Sequence, residues 1–293
     1  MRAVQPTESG QLHIDGFQIG YECFGDPARP AVLLPPTWQI VDSRIWKMQV
    51  PFLARHFRVV TFDPPGNGLG ERTTDPAAFE YERIARQGLG VLDHLGIARA
   101  SVVAFSRGCT YGVWLAATQP ERVERLVLIA SVMTPHAWGK TPDGCFERRE
   151  TCEGWQKENV HYWLEHYSDW LVFFFSQIFP EPHSTKGIDD GIGWGLGTNA
   201  EILAASVSRP ELWPAMSAGE AVASVSCPIL LLHGSADPRY PVEASRALAA
   251  ARPDWEFVTL EGSGHVPICR DPVRVNLLIH AFLTASAAQA ERQ

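Results

Sequence analysis

The chain has 293 residues, 45% of them hydrophobic and 20% charged, and a formal net charge of −8. That length and apolar fraction support a large buried core, in one big domain or a domain carrying an insertion. The acidic balance and the lack of a basic run exclude nucleic acid as a partner, and the greasiest run, Trp170 to Phe175, is far too short to span a membrane.

Met1 to Gly10 lacks the apolar core of a signal peptide, so the expectation is a cytoplasmic protein. The six cysteines are scattered without a CxxC pair; reduced thiols are expected, and no metal or cofactor is called for. Gln11 to Asp15 and Phe17 to Phe24 alternate around Gly16 as an antiparallel hairpin. Ala31 to Leu34 is a short apolar run suited to a buried parallel strand, followed by Pro35-Pro36-Thr37-Trp38 and a helix over about 43–55. Phe57 to Phe62 is the next strand, and Tyr81 to Leu95 reads as a helix with Leu89, Leu92 and Leu95 on one face. A further strand, turn and helix run through Arg99 to Leu115, and Val123 to Ala130 is again a strand. Short alternation of strand and helix means a parallel sheet covered on both faces.

From about Val132 to Val225 the alternation stops, and a connection that long is normally a lid or an inserted subdomain. Here it is aromatic and helical: Trp163, Tyr167, Trp170, Leu171 and Phe174 keep a 3.6-residue spacing until Pro180, and Thr198 with Glu201 reads as the capping box of a second helix. The polar stretch Pro182 to Gly187 reads as a solvated loop in preference to one that offers His183 or Lys186 to a substrate. The alternation resumes with Pro228 to Leu232, a helix over about 242–251, the strand Trp255 to Leu260 and a closing helix over about 272–284. The expected division is thus a core over 1–131 and 226–293, with a helical cap over 132–225.

Chemistry gathers where strands end. Val102 and Val103 lead into Ala104-Phe-Ser106-Arg-Gly108, a strand-to-helix turn with small residues two before and two after the serine. Asp237 follows the strand ending at Leu232, and His265 follows the one ending at Leu260, in Gly262-Ser-Gly-His265. Ligands bind at the carboxyl ends of strands in open parallel sheets. A serine hydroxyl needs an imidazole to take its proton, and a carboxylate fixes the tautomer of that imidazole. Ser106, Asp237 and His265 are the candidate nucleophile, acid and base, because no carboxylate follows the Val123–Ala130 strand before Asp143. The two oxyanion N–H groups are expected from Arg107 and, since proline has none, from Thr37 in preference to Trp38.

These residues, with Leu33-Leu-Pro-Pro-Thr-Trp38, Phe62-Asp-Pro-Pro-Gly-Asn-Gly68 and His233-Gly-Ser-Ala-Asp237, make the chain resemble the α/β-hydrolase superfamily with an inserted cap over nearly all its length. It departs from the usual pattern at Pro35-Pro36 (His-Gly), Pro65-Gly66 (Arg-Gly) and Ala104 (Gly). The resemblance implies a mostly parallel eight-stranded α/β sheet flanked by helices. It also implies hydrolysis of a carboxylic ester, thioester or lactone of a small, partly apolar substrate through a seryl acyl-enzyme. Ser106 argues against the epoxide hydrolases and haloalkane dehalogenases of the superfamily, which use aspartate there. Trp38, Trp138, Trp170 and Phe174 are the candidate pocket residues. The Arg107 side chain pairs either with a substrate carboxylate or with an internal acid, the latter being the favoured reading. An acyltransferase with the same triad, and a non-catalytic small-molecule receptor on the same fold, are the rival functions. The expected partner is a small acyl substrate, with no nucleic acid or membrane involved, for a monomer or homodimer.

Overall fold

A computed structural model describes residues 4–139, 143–207 and 214–285. Strands β1 (Glu8–Ile14) and β2 (Phe17–Phe24) form the first hairpin, turning through Asp15 and Gly16, both at positive φ (52° and 87°). That is the backbone a tight two-residue hairpin needs. The remaining strands are β3 (Ala31–Leu34), β4 (Arg58–Asp63), β5 (Ala100–Phe105), β6 (Val123–Ile129), β7 (Ile229–Gly234) and β8 (Glu256–Leu260). They form one eight-stranded sheet in the order β1-β2-β4-β3-β5-β6-β7-β8. Pairing is antiparallel through β2 and parallel from β4 to β8.

β3, β5 and β7 are buried at every position, because both faces of the sheet are covered. Side chains alternate across β5: Val102 and Ala104 enter the core shared with α2 (Tyr81–His94) and α3 (Gly108–Thr118). Val103 and Phe105 enter the opposite core, with α1 (Val50–Leu53) and the C-terminal helix. The expected helix over 43–55 is split, since a 3₁₀ turn (Ser43–Met48) capped by Asp42 precedes α1, whose first turn takes Pro51.

Between β6 and β7 lie α4 (Val160–Ile178), α5 (Thr185–Gly195), α6 (Ala200–Ala205) and α7 (Ala218–Ser224). After β7 come α8 (Glu243–Ala251), α9 (Pro267–Arg270) and α10 (Pro272–Thr284). Two sequence readings are corrected here. The helix expected to begin at Thr198 is α6, and Asn199 caps it by accepting the Ile202 N–H at 2.9 Å. The segment read as a solvated loop leads into α5, where Lys186 pairs with Asp190 one turn on. α5 carries four glycines in eleven residues, a poor helix by propensity. Packing supplies the reason: a Cβ on Gly191 would lie 2.2 Å from the buried Phe175 ring, and one on Gly195 2.5 Å from Leu171. Among the described residues no helix is long and apolar enough to cross a membrane.

Gly191→Ala therefore sets two effects against each other. Alanine gains about 1 kcal/mol of helix propensity, and the clash with a ring that has no room to move costs about 1–3 kcal/mol. A lower Tm is expected in thermal unfolding; an unchanged or higher Tm contradicts the close crossing of α4 and α5.

Candidate active site

Ser106 sits at φ 53°, a left-handed conformation that a non-glycine residue holds only where its surroundings enforce it. Its N–H donates to Ile129 O at 2.8 Å, which extends the β5–β6 ladder by one residue before α3 starts. The chain must reverse there with almost no clearance: a Cβ on Gly108 would lie 2.6 Å from Pro36 O. The serine is thereby pushed out of the end of the sheet.

The Ser106 hydroxyl lies 3.0 Å from His265 Nε2, and His265 Nδ1 lies 2.8 Å from Asp237 Oδ2. The His265 ring is held between Phe105 and Tyr240, with ring centres at 5.4 and 5.6 Å. Its loop is tied to the segment between β6 and β7 by Gly264 N–H donating to Glu181 Oε1 at 2.7 Å. Asp237 is engaged on both oxygens. Oδ1 accepts the Arg239 and Tyr240 N–H groups at 2.8 and 2.9 Å. Oδ2 faces a second histidine, His233, at 3.1 Å. Since Tyr240 O is also 2.9 Å from His233 Nε2, that nitrogen carries the proton, and His233 Nδ1 meets the Ser245 hydroxyl at 2.7 Å. Burial alone would raise the Asp237 carboxyl. The His265 charge, the hydrogen bonds from His233 and His265 and the Tyr240 N–H outweigh it and hold the group far below the usual carboxylate range.

The Pro35–Trp38 loop is pinned from two sides, by the Trp46 indole N–H donating to Pro35 O (3.3 Å) and the Tyr111 hydroxyl donating to Thr37 O (3.4 Å). The Trp38 N–H is taken up by the Thr37 hydroxyl at 2.5 Å. Among the described residues the Thr37 and Arg107 amides have no acceptor, and Thr37 lines the same cavity as Ser106. Asp63, at the end of β4, accepts from Ser43 N–H at 2.7 Å and Leu69 N–H at 3.0 Å; burial pushes its carboxyl up to about 6.

The cavity over Ser106 measures about 40 Å³ and is lined by Trp38, Ile45, Phe105, Phe174, Phe179 and Trp194 among others. Of the four pocket candidates, Trp38 and Phe174 line this cavity. Trp170 is fully buried and packs on Trp163 and Phe174, and Trp138 donates its indole N–H to Met216 O at 2.7 Å, away from the cavity. Trp170 belongs to the core that includes Trp38, Trp163 and Phe174, and Trp138 to the core beside α3, where Thr110 donates to its carbonyl at 3.2 Å; neither is among the residues lining the cavity. Helical spacing marks an aromatic as buried but does not say against what. The structure also corrects Arg107: no carboxylate lies within ion-pairing distance among the described residues, and its guanidinium rests on Trp38 and Tyr81, 4.9 and 5.7 Å from the ring centres. His233 opens the His233–Asp237 motif, but its part beside Asp237 depends on Ser245 from α8, which spacing does not reveal. No group of three His, Cys, Asp or Glu side chains positioned to hold a metal occurs among the described residues.

The alpha/beta hydrolase fold matches residues 30–272. The chain is 22% identical to 3-oxoadipate enol-lactonase 2 of Acinetobacter baylyi, over 90% of this chain and 92% of that one. It is 27% identical to 2-hydroxymuconate semialdehyde hydrolase of Pseudomonas putida, over 79% of this chain and 78% of that one. Among solved structures the enol-lactonase of Burkholderia xenovorans superposes with a TM-score of 0.78 at 22% identity, covering 94% of this chain and all (100%) of that one.

The depressed Asp237 carboxyl has a sign that can be checked. A carboxylate whose folded value lies below its unfolded value of about 3.9 stabilises the protein above that pH and loses this as pH falls through the folded value. Asp63 titrates in the opposite sense, but equally in wild type and in Asp237→Asn, so it cancels from their difference. The stability gap between the two proteins in urea unfolding is expected to be constant from about pH 7 to 5 and to shrink below about pH 4. A gap that stays constant into acid contradicts the ionised, fully engaged Asp237.

Proposed function

The chain belongs to the alpha/beta hydrolase fold family and is a hydrolase of that fold, and on that footing we propose a serine mechanism. The substrate is a carboxylic ester, thioester or lactone of a small, partly apolar acyl group, cleaved through a seryl acyl-enzyme. The observation that carries this reading is the relay from Ser106 Oγ through His265 to Asp237, with links of 3.0 and 2.8 Å. The names of the relatives, an enol-lactonase and a semialdehyde hydrolase, support hydrolytic chemistry on this fold.

Ser106 Oγ attacks the acyl carbon while His265 Nε2 takes its proton, and Asp237 stabilises the imidazolium so formed. The carbonyl oxygen becomes an oxyanion that the Thr37 and Arg107 N–H groups receive, neither having a competing acceptor among the described residues. Collapse breaks the acyl–oxygen or acyl–sulfur bond, and the imidazolium returns its proton to the leaving group. Water then attacks the acyl-Ser106 ester with His265 as base, releasing the acid and the free hydroxyl.

Residues 132–225 act as a cap in this reading. Phe174, Phe175, Ile178 and Phe179 of that segment wall the space over the serine, and about 40 Å³ is little more than one water's share of liquid volume. Substrate entry therefore requires the cap to move. A receptor gains nothing from a serine held at positive φ against an imidazole, which supports the enzyme over a binding protein.

Against 4-nitrophenyl esters of short-chain acids, Ser106→Ala is expected to lower kcat/KM by at least about a thousand-fold with the fold intact by circular dichroism. Ester hydrolysis retained in the variant overturns the serine mechanism.

A further inference from the structure

Arg107 directly follows the nucleophile, and its partly buried guanidinium stacks on Trp38 and Tyr81. A guanidinium has five N–H donors and keeps its charge at any physiological pH. None of these donors has an acceptor among the described residues, and no carboxylate pairs with it. A cation taken out of water is normally paired and hydrogen-bonded, so this arrangement is incomplete as it stands. Aromatic faces hold the planar group in one orientation without using its edges, and the edges are what a carboxylate binds.

The neighbouring charges leave the site cationic. Glu158, which feels Arg107 electrostatically, is buried and gives its carboxylate to Arg239 at 2.7 Å. Burial pushes the Glu158 carboxyl up, with Arg239 and Arg107 pulling it back down. One carboxylate thus stands against two guanidinium groups. Tyr240 joins this cluster to the reacting groups, since its ring lies 5.6 Å from His265. Trp38 joins it to the cavity, being both a wall over Ser106 and the platform under Arg107.

We propose that the Arg107 side chain is the specificity determinant of the site, receiving a carboxylate carried by the substrate, so that the preferred substrates are anionic: half-esters or lactones of dicarboxylic acids. The inference rests on the serine hydrolase reading for the reaction, though not for the binding of the anion. Trp38 both carries the guanidinium and walls the cavity over Ser106, so the carboxylate and the acyl carbon belong to one small substrate. Glutaryl compounds serve as probes. The main chain of Arg107 serves the oxyanion and its side chain serves selection.

The test compares 4-nitrophenyl hydrogen glutarate with the neutral 4-nitrophenyl valerate in wild type, Arg107→Gln and Arg107→Lys. The readout is the ratio of the two kcat/KM values within each protein, which cancels a general loss of activity. The ratio should favour the glutarate ester in wild type, fall at least about ten-fold in Arg107→Gln, the loss of a charged hydrogen bond, and fall less in Arg107→Lys. Calorimetric titration of wild type with glutarate, against neutral glutaramide, reads the anion site without turnover and without any variant that has to fold. Glutarate should bind and glutaramide should not. An unchanged ratio in Arg107→Gln, or glutarate binding no better than glutaramide, overturns the proposal. Arg107-dependent glutarate binding with no hydrolysis of either ester leaves the anion site standing and overturns the serine hydrolase reading instead.

Discussion

The carboxylate of Asp237 has a completely buried side chain, and burying a charge that is not answered costs several kcal/mol. Here every direction of approach is answered: two backbone N–H groups on one oxygen, two imidazoles on the other. The strand ends follow from this. β7 must stop where His233 can turn inward to Ser245, the next turn must present the Arg239 and Tyr240 amides, and β8 must deliver His265 from the far side. With one imidazole fixed by this carboxylate, the other nitrogen of that ring has a single direction left, and Ser106 stands in it. Removing either histidine leaves a buried, partly unpaired charge, so the same contacts that orient the reacting groups also hold β7 and β8 in place.

A second constraint acts from the opposite side of the serine. Pro35-Pro36 offers no N–H, so the loop is held by Trp46 and Tyr111 through its carbonyls, and the Thr37 amide has no acceptor among the described residues. The same loop touches the start of α3 at Gly108, where even a methyl group has no room. The elbow, the loop and the imidazole thus converge on one small space, and the inserted aromatics close it. The inserted helices are part of the same packing: Trp163, Trp170, Phe174 and Phe175 share one apolar core with Val103 and Phe105 of β5.

The fold was largely legible because its signals are local. The apolar runs of β3, β5 and β7, the Asp15-Gly16 turn and the helical spacing of α2 each mark their own element. The order of Ser106, Asp237 and His265 at strand ends could be read because one chemical role belongs to each residue type. What escaped depends on contacts distant in sequence. The polar stretch Pro182 to Gly187 reads as a solvated loop, but its last three residues open α5, whose glycines allow the close approach to Phe175 and Leu171 of α4. Trp138 and Trp170 looked like pocket walls because an aromatic period does not state which face meets a ligand. Arg107 looked like half of an ion pair because buried arginines usually are. His233 needed Ser245 and Tyr240 around it before its part could be seen.

The central claim is that Ser106 is made nucleophilic by His265 and Asp237. Mass spectrometry of the intact protein after exposure to a fluorophosphonate, followed by peptide mapping, tests it most directly. One adduct per chain on Ser106, absent in Ser106→Ala and strongly slowed in His265→Ala, is the predicted result. A folded wild-type protein that takes no adduct, or one labelled at another residue, would contradict the account.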